Sequence, residues 1–128
     1  MQETRNDEVS REFDLQRRTE TFARDVRALV RVLPRTLSNR EDAKQLVRSS
    51  GSVGANYLEA NDALGDKDFQ FRIKISRKEA KESGYWLRLL NCDGRAETER
   101  RRDELVDEAS QLVRILSAIL NSHRRRPE

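Results

Sequence analysis

Among 128 residues the chain has one cysteine, one histidine and one tryptophan, and only two prolines and five glycines. Each scarcity excludes something. Cys92 stands alone, so no internal disulfide can form and a reducing cytoplasm is the expected compartment. One histidine, His123, leaves no Glu-x-x-His pairs of the di-iron bundle type and no His/Cys cluster for zinc, so neither a metal nor another cofactor is expected. No apolar run approaches the ~18–20 residues that a membrane-spanning helix needs. The opening MQETRNDEVSRE is polar and mixed in charge, unlike a signal peptide, and residues 1–12 are expected as a disordered lead-in. With so few helix breakers, the remaining chain is free to form long helices.

What is present fits one thin-helix domain over residues 13–123, followed by a basic mobile tail at 124–128. Hydrophobic residues make up 35% and charged residues 38%, a balance that suits helices burying one face each and not a large β core. The formal charge of +3 does not by itself demand a nucleic-acid partner. Its make-up is more specific, with 21 arginines against 5 lysines. Arginine forks onto phosphate or carboxylate, which is compatible with RNA or DNA; a GC-rich genome writes the same bias without any partner.

Periodicity predicts four helices. The first runs from about Asp14 to Leu33, with Leu15, Phe22, Val26, Leu29, Val30 and Leu33 inward, Arg17, Arg24, Arg27 and Arg31 outward, and Pro34 as its stop. The second opens with a capping box, Ser38 with Glu41, and continues through Leu46, Val53 and Tyr57. Gly51 and Gly54 within it each cost about 1 kcal/mol relative to alanine, which predicts close approach of a neighbouring helix. A phosphate-cradling loop is the sharper alternative for this small-residue run, but no Lys-Ser ending and no preceding strand support it. The third helix starts near an Asp66 cap and ends at the turn Asn91-Cys92-Asp93-Gly94, and the fourth runs from about Glu97 to Ser122 with the seam Leu105, Ala109, Leu112, Leu116, Ile119, His123. Short connections make this an all-α, antiparallel up-down four-helix bundle.

The third helix has more apolar surface than the bundle uses. Phe69, Ile73, Ser76, Ala80, Ser83, Leu87 and Leu90 form one stripe suited to the core. Phe71, Ile75, Trp86 and Leu89 form a second, flanked by Lys67, Lys74, Lys78, Lys81 and Arg88. A monomer would leave the second stripe in water, so self-association through it is expected, with basic surface at its edge. Backbone phosphates could be met by the arginines of the first helix, by the lysine strip, or by Arg100-Arg101-Arg102 and Arg124-Arg125-Arg126; solvated faces are the bland alternative. Aromatics amount to only 5%, so any nucleic-acid binding is expected to be weak and unspecific for bases.

No catalytic constellation emerges, and an enzyme is not expected. His123 reads as a capping or partly packed residue, and Cys92 as a helix-end residue. Asn56 and Glu59 are three apart and are expected as a structural polar pair reaching across helices, while Glu82 is expected to pair with Lys78 one turn earlier.

The stretches Leu46-Val47-Arg48-Ser49-Ser50-Gly51-Ser52-Val53-Gly54-Ala55-Asn56-Tyr57-Leu58-Glu59-Ala60 and Lys74-Ile75-Ser76-Arg77-Lys78-Glu79-Ala80-Lys81-Glu82-Ser83-Gly84-Tyr85-Trp86-Leu87-Arg88-Leu89-Leu90 resemble the second and third helices of a bacterial family. Its members are four-helix bundle proteins often encoded inside intervening sequences of the 23S rRNA gene, and the likeness spans roughly Phe13 to Arg124. The resemblance implies a ring-shaped homo-oligomer, a homopentamer, and a link to the accessory proteins of diversity-generating retroelements, which bind nucleic acid and a reverse transcriptase. By motif, Asn56 and Glu59 would be the characteristic polar pair and Tyr85-Trp86 the third-helix aromatics. Gly54 stands where many relatives have proline, and Ala60 where they often have glycine. A protein scaffold or adaptor, such as a reverse-transcriptase accessory subunit, is the alternative to direct nucleic-acid binding.

Overall fold

In the computed structural model, four helices follow one another without a strand among the described residues, which are 2–124 for the backbone and 14–123 for side chains. They are α1 (Gln2–Val32), α2 (Leu37–Asn61), α3 (Asp66–Leu89) and α4 (Ala96–Arg124). Each packs on its neighbours in cyclic order, α1 on α2, α2 on α3, α3 on α4, and α4 back on α1, most intimately at α2–α3. Arg48 meets Glu79 and Asn56 meets Arg72, so the register falls along α3 as it rises along α2 and the two helices are antiparallel. The core runs down the middle through Phe22, Leu29, Leu46, Ile73, Leu87 and Leu112, all essentially inaccessible. Each such side chain contributes roughly 1.5–3 kcal/mol relative to exposure.

Several helix ends differ from what the sequence suggests. α1 begins well ahead of Asp14, because residues 2–13 contain no glycine or proline to stop a helix from propagating backwards. The side chains of 1–13, and the tail beyond Arg124, lie outside the described residues. α2 is capped by Thr36, whose hydroxyl accepts from the Asn39 N–H at 3.1 Å, and not by the Ser38–Glu41 box. Two residues of extra helix are gained this way, since Pro34 stops α1 and Thr36 is the first residue after it that combines extended backbone with a capping oxygen. At α3 the cap position falls on Gly65, without a side-chain bond, and Asp66 and Asp68 act within the first turn through the helix dipole. The α3–α4 turn uses left-handed backbone at both Asp93 (φ 56°) and Gly94 (φ 69°), and the Asn91 side chain accepts from the Asp93 N–H at 2.9 Å.

The small residues of α2 serve two neighbours. A Cβ on Gly54 would lie 2.9 Å from Thr19 Oγ1, so glycine is what lets α1 approach at that level. Beside Gly51 there is only the end of the Arg27 side chain, at 3.4 Å. The tighter α2–α3 seam uses serines. Ser83 donates to the Glu79 carbonyl at 2.8 Å, which leaves its oxygen to accept from Ser49 at 2.9 Å. Ser76 donates across the seam to the Val53 carbonyl at 2.7 Å. Among the described residues no buried side-chain nitrogen or oxygen lacks a partner.

Candidate interface on the third helix

α3 has two neighbours and two outer flanks. Arg72, Glu79 and Ser83 reach α2, whereas Arg77 reaches Ser117 of α4 and Gly84 packs against Ala109. At about 100° per residue these contacts place Ile75 and Trp86 on the outer flank beside α2, and Phe71 and Leu89 on the outward midline next to Lys78. Lys67, Lys74, Lys81 and Arg88 fall on the flank beside α4. Apolar and basic strips are therefore neighbours along one outward surface.

The apolar strip is only partly open. Phe71 is 56% exposed and Leu89 48%, with Tyr85 at 50% beside them. Trp86 packs against the core and Ile75 is half-buried, so the protomer itself already shields part of what the sequence assigns to a second copy. Tyr85 meets Trp86 edge-on, with ring centroids 5.0 Å apart. An ion triad also interrupts the strip. Arg48 of α2 reaches Glu79 at 3.1 Å and Glu82 at 3.3 Å. Glu82 thus pairs across helices and not with Lys78, because the Arg48 guanidinium can serve both carboxylates at once. Glu79 is buried at 6% exposure, and Arg48 is the cation that neutralises it.

The basic candidates separate by what already occupies them. Lys67, Lys74, Lys78 and Lys81 are exposed and take part in no salt bridge among the described residues. Arg88 is likewise exposed and in no ion pair there, its guanidinium folded back towards Gly84. On α1, Arg24 pairs with Glu20 at 3.4 Å and Arg27 donates to the Ala23 carbonyl at 3.0 Å, while Arg17 and Arg31 are exposed. Arg100 is held between Glu97 and Glu104, and its hydrogen bond pulls the Glu97 carboxyl below the usual range. Arg102 turns inward to the Leu90 carbonyl and the Cys92 sulfur. The Arg124-Arg125-Arg126 side chains lie outside the described residues.

Asn56 and Glu59 are not brought together. Asn56 donates to the Ser52 carbonyl and hydroxyl, both at 2.9 Å, and accepts from Arg72 at 3.3 Å. Glu59 points to solvent one turn on. His123 is partly packed, edge-on to Phe69 at 4.3 Å and 3.9 Å from Asp66. Burial pushes the Cys92 thiol upward, with Arg102 partly opposing it. No three His, Cys, Asp or Glu side chains converge as metal ligands among the described residues.

Two polar residues escape a reading of the sequence. Arg18 forks onto Glu108 of α4, at 3.1 and 2.6 Å, and reaches Gln111 at 3.1 Å. It sits between Leu15 and Phe22 on the inward spacing, which is the signal that could have found it. Asn39 is buried where two loops meet: its amide donates to the Pro34 and Asn91 carbonyls at 2.9 and 2.8 Å and accepts from the Asn91 N–H at 2.9 Å. It extends the Ala43, Leu46 rhythm back by one turn.

Fold and surface together define an all-α, four-helix protein whose outward chemistry is a mixed apolar and basic face on α3. The chain belongs to the 23S rRNA-intervening sequence protein family, which it matches over residues 11–118. It is similar to a solved structure from Bacteroides thetaiotaomicron VPI-5482, described as a protein with unknown function from the S23 ribosomal protein family. The two are 27% identical with a TM-score of 0.69, over 86% of this chain and 97% of that one. No curated protein matches the chain. No helix among the described residues is long and apolar enough to cross a membrane.

Proposed function

We propose that the chain is a non-enzymatic protein that assembles as a pentameric ring and binds RNA or DNA weakly through repeated basic surfaces. One observation supports it above the others: five cations on the outward surface of α3 have no ion-pair partner among the described residues, beside half-exposed Phe71 and Leu89. Cations without acidic partners can release counterions from a phosphate backbone without first breaking a bridge. A ring repeats the strip, and repetition turns weak contacts into useful avidity. No cofactor enters this reading.

The test is light scattering after size exclusion, with absorbance at 260 and 280 nm, on protein purified without nuclease. A pentamer-sized peak whose excess 260 nm absorbance is stripped by high salt is the expected result. Triple substitution of Lys74, Lys78 and Lys81 by glutamate should abolish binding to structured RNA and to single strands at ~50 mM salt, where electrostatic binding is strongest. Equal binding by wild type and variant, or none by either, would refute the reading. The exposure of Phe71, Tyr85 and Leu89 favours a second reading, an adaptor docking a protein such as a reverse transcriptase. A clean pentamer without bound nucleic acid would shift the assignment to it.

A further inference from the structure

On the opposite side of α2 from the α3 surface, the end of α1 and the first turns of α2 enclose an open groove of about 620 Å³. Its floor is aliphatic: Val30, Leu33, Pro34, Ala43 and Val47. Its rim is basic, formed by Arg35, Arg40 and Lys44. Arg35 and Arg40 are exposed and in no ion pair among the described residues. Lys44 has only an exposed contact to Glu41 at 3.6 Å, of a kind worth little. The first turn of α2 carries no acid that would neutralise this end. Leu37, 75% exposed, stands one turn before Arg40 and adds apolar surface beside the rim.

We infer that this groove docks an acidic amphipathic helix of a partner protein, its aliphatic side chains on the floor and its carboxylates against Arg35, Arg40 and Lys44. Charge complementarity and dimensions select that occupant. From Asn39 to Val47 the α2 wall spans two turns, about 12 Å, which matches the roughly 10.5 Å between the i and i+7 anchors of a helix laid in a groove. A small polar ligand would need a hydrogen-bonding group to orient it. The one polar side chain on the floor, Asn39, already uses both N–H groups and its oxygen on Pro34 and Asn91. A nucleic-acid backbone could meet the rim cations but would leave the aliphatic floor unfilled, since no aromatic lines the groove to stack a base. The site is independent of the nucleic-acid reading, whose cations lie on α3.

The test is a display library of 14-residue helical peptides, selected against the full chain and counter-selected against Arg35→Glu/Arg40→Glu. Both substitutions are at exposed positions, and circular dichroism checks that the variant keeps its helices. Enriched peptides should carry aliphatic residues at i, i+3 or i+4, and i+7, flanked by Asp or Glu. Their affinity by fluorescence anisotropy should fall about tenfold or more on charge reversal, and the loss should shrink as salt rises. Amide shifts on binding should centre on Ala43 and Val47. Selection of no peptide sensitive to the reversal overturns the inference, as does binding that maps to Phe71 and Leu89. So does a variant that loses affinity for RNA while peptide binding is unchanged, which would make the rim a phosphate surface.

Discussion

Gly54 sits where Thr19 leaves no room for a side chain, and the consequence can be weighed. Alanine there would gain about 1 kcal/mol of helix propensity. Against that, its Cβ would press on the Thr19 oxygen at 2.9 Å and on the Thr19 Cβ at 3.2 Å, overpacking of a kind that typically costs about 1–3 kcal/mol. Gly54→Ala should therefore lower the thermal midpoint, and adding Thr19→Ala should recover part of the loss. Cys92 offers a second test at this scale. Burial raises its pKa in the folded chain above the unfolded value, so the thiol stabilises the fold at neutral pH. That contribution is present below the unfolded thiol pKa and is lost as pH rises through the folded one. Urea midpoints of wild type and Cys92→Ala should accordingly converge as pH climbs from 8 towards 11, and iodoacetamide should label the native thiol slowly.

Between elements, the α2–α3 seam carries most of the specific polar contact, and Arg48 is its outermost clasp. Removing it leaves Glu79, almost fully buried, with no cation. Arg48→Met should destabilise the chain by about 2 kcal/mol, between the values typical of exposed and buried pairs. A double variant with Glu79→Gln should regain much of this, because no charge is then left stranded; urea unfolding followed by circular dichroism reads both. What is legible in the sequence has a physical dividing line here. Helices and inward stripes can be read because burial imposes a period on a single segment, as with Ile73, Ala80 and Leu87. Arg48 with Glu79, or Arg18 with Glu108, depends on which residues of two helices come level, and that register is written in neither helix alone. Glu82 shows the same limit: its local partner Lys78 is the obvious expectation, and a guanidinium from another helix takes it instead. Helix ends are ambiguous for a smaller reason, since Thr36 and Ser38 are both competent caps and the bond to Asn39 decides between them only in three dimensions.

For the whole molecule, the arrangement of α3 separates two jobs that the sequence presents as one patch. Phe71 and Leu89 share the outward midline with Lys78, while Lys74 and Lys81 lie further round towards α4, so assembly through Phe71 and Leu89 leaves Lys74 and Lys81 uncovered. Self-association and nucleic-acid binding should then be separable by substitution. Phe71→Ser/Leu89→Ser removes two half-exposed apolar side chains, adds no charge beside the lysines and spares the core, so helix content should hold while light scattering shows a protomer-sized particle. Trp86→Asp would be a poorer probe, because Trp86 packs on the core and its loss mixes folding with assembly. The dissociated variant still has an intact lysine strip, but only one per particle. Its RNA affinity should drop by an order of magnitude or more as avidity is lost. The slope of log K against log salt should flatten too, since each phosphate that is no longer neutralised takes roughly 0.7 to 0.9 from it. A variant that stays assembled would place the self-association surface elsewhere on the chain. One that dissociates and yet binds RNA with undiminished slope would show that a single protomer neutralises every phosphate, and the ring would then need another purpose.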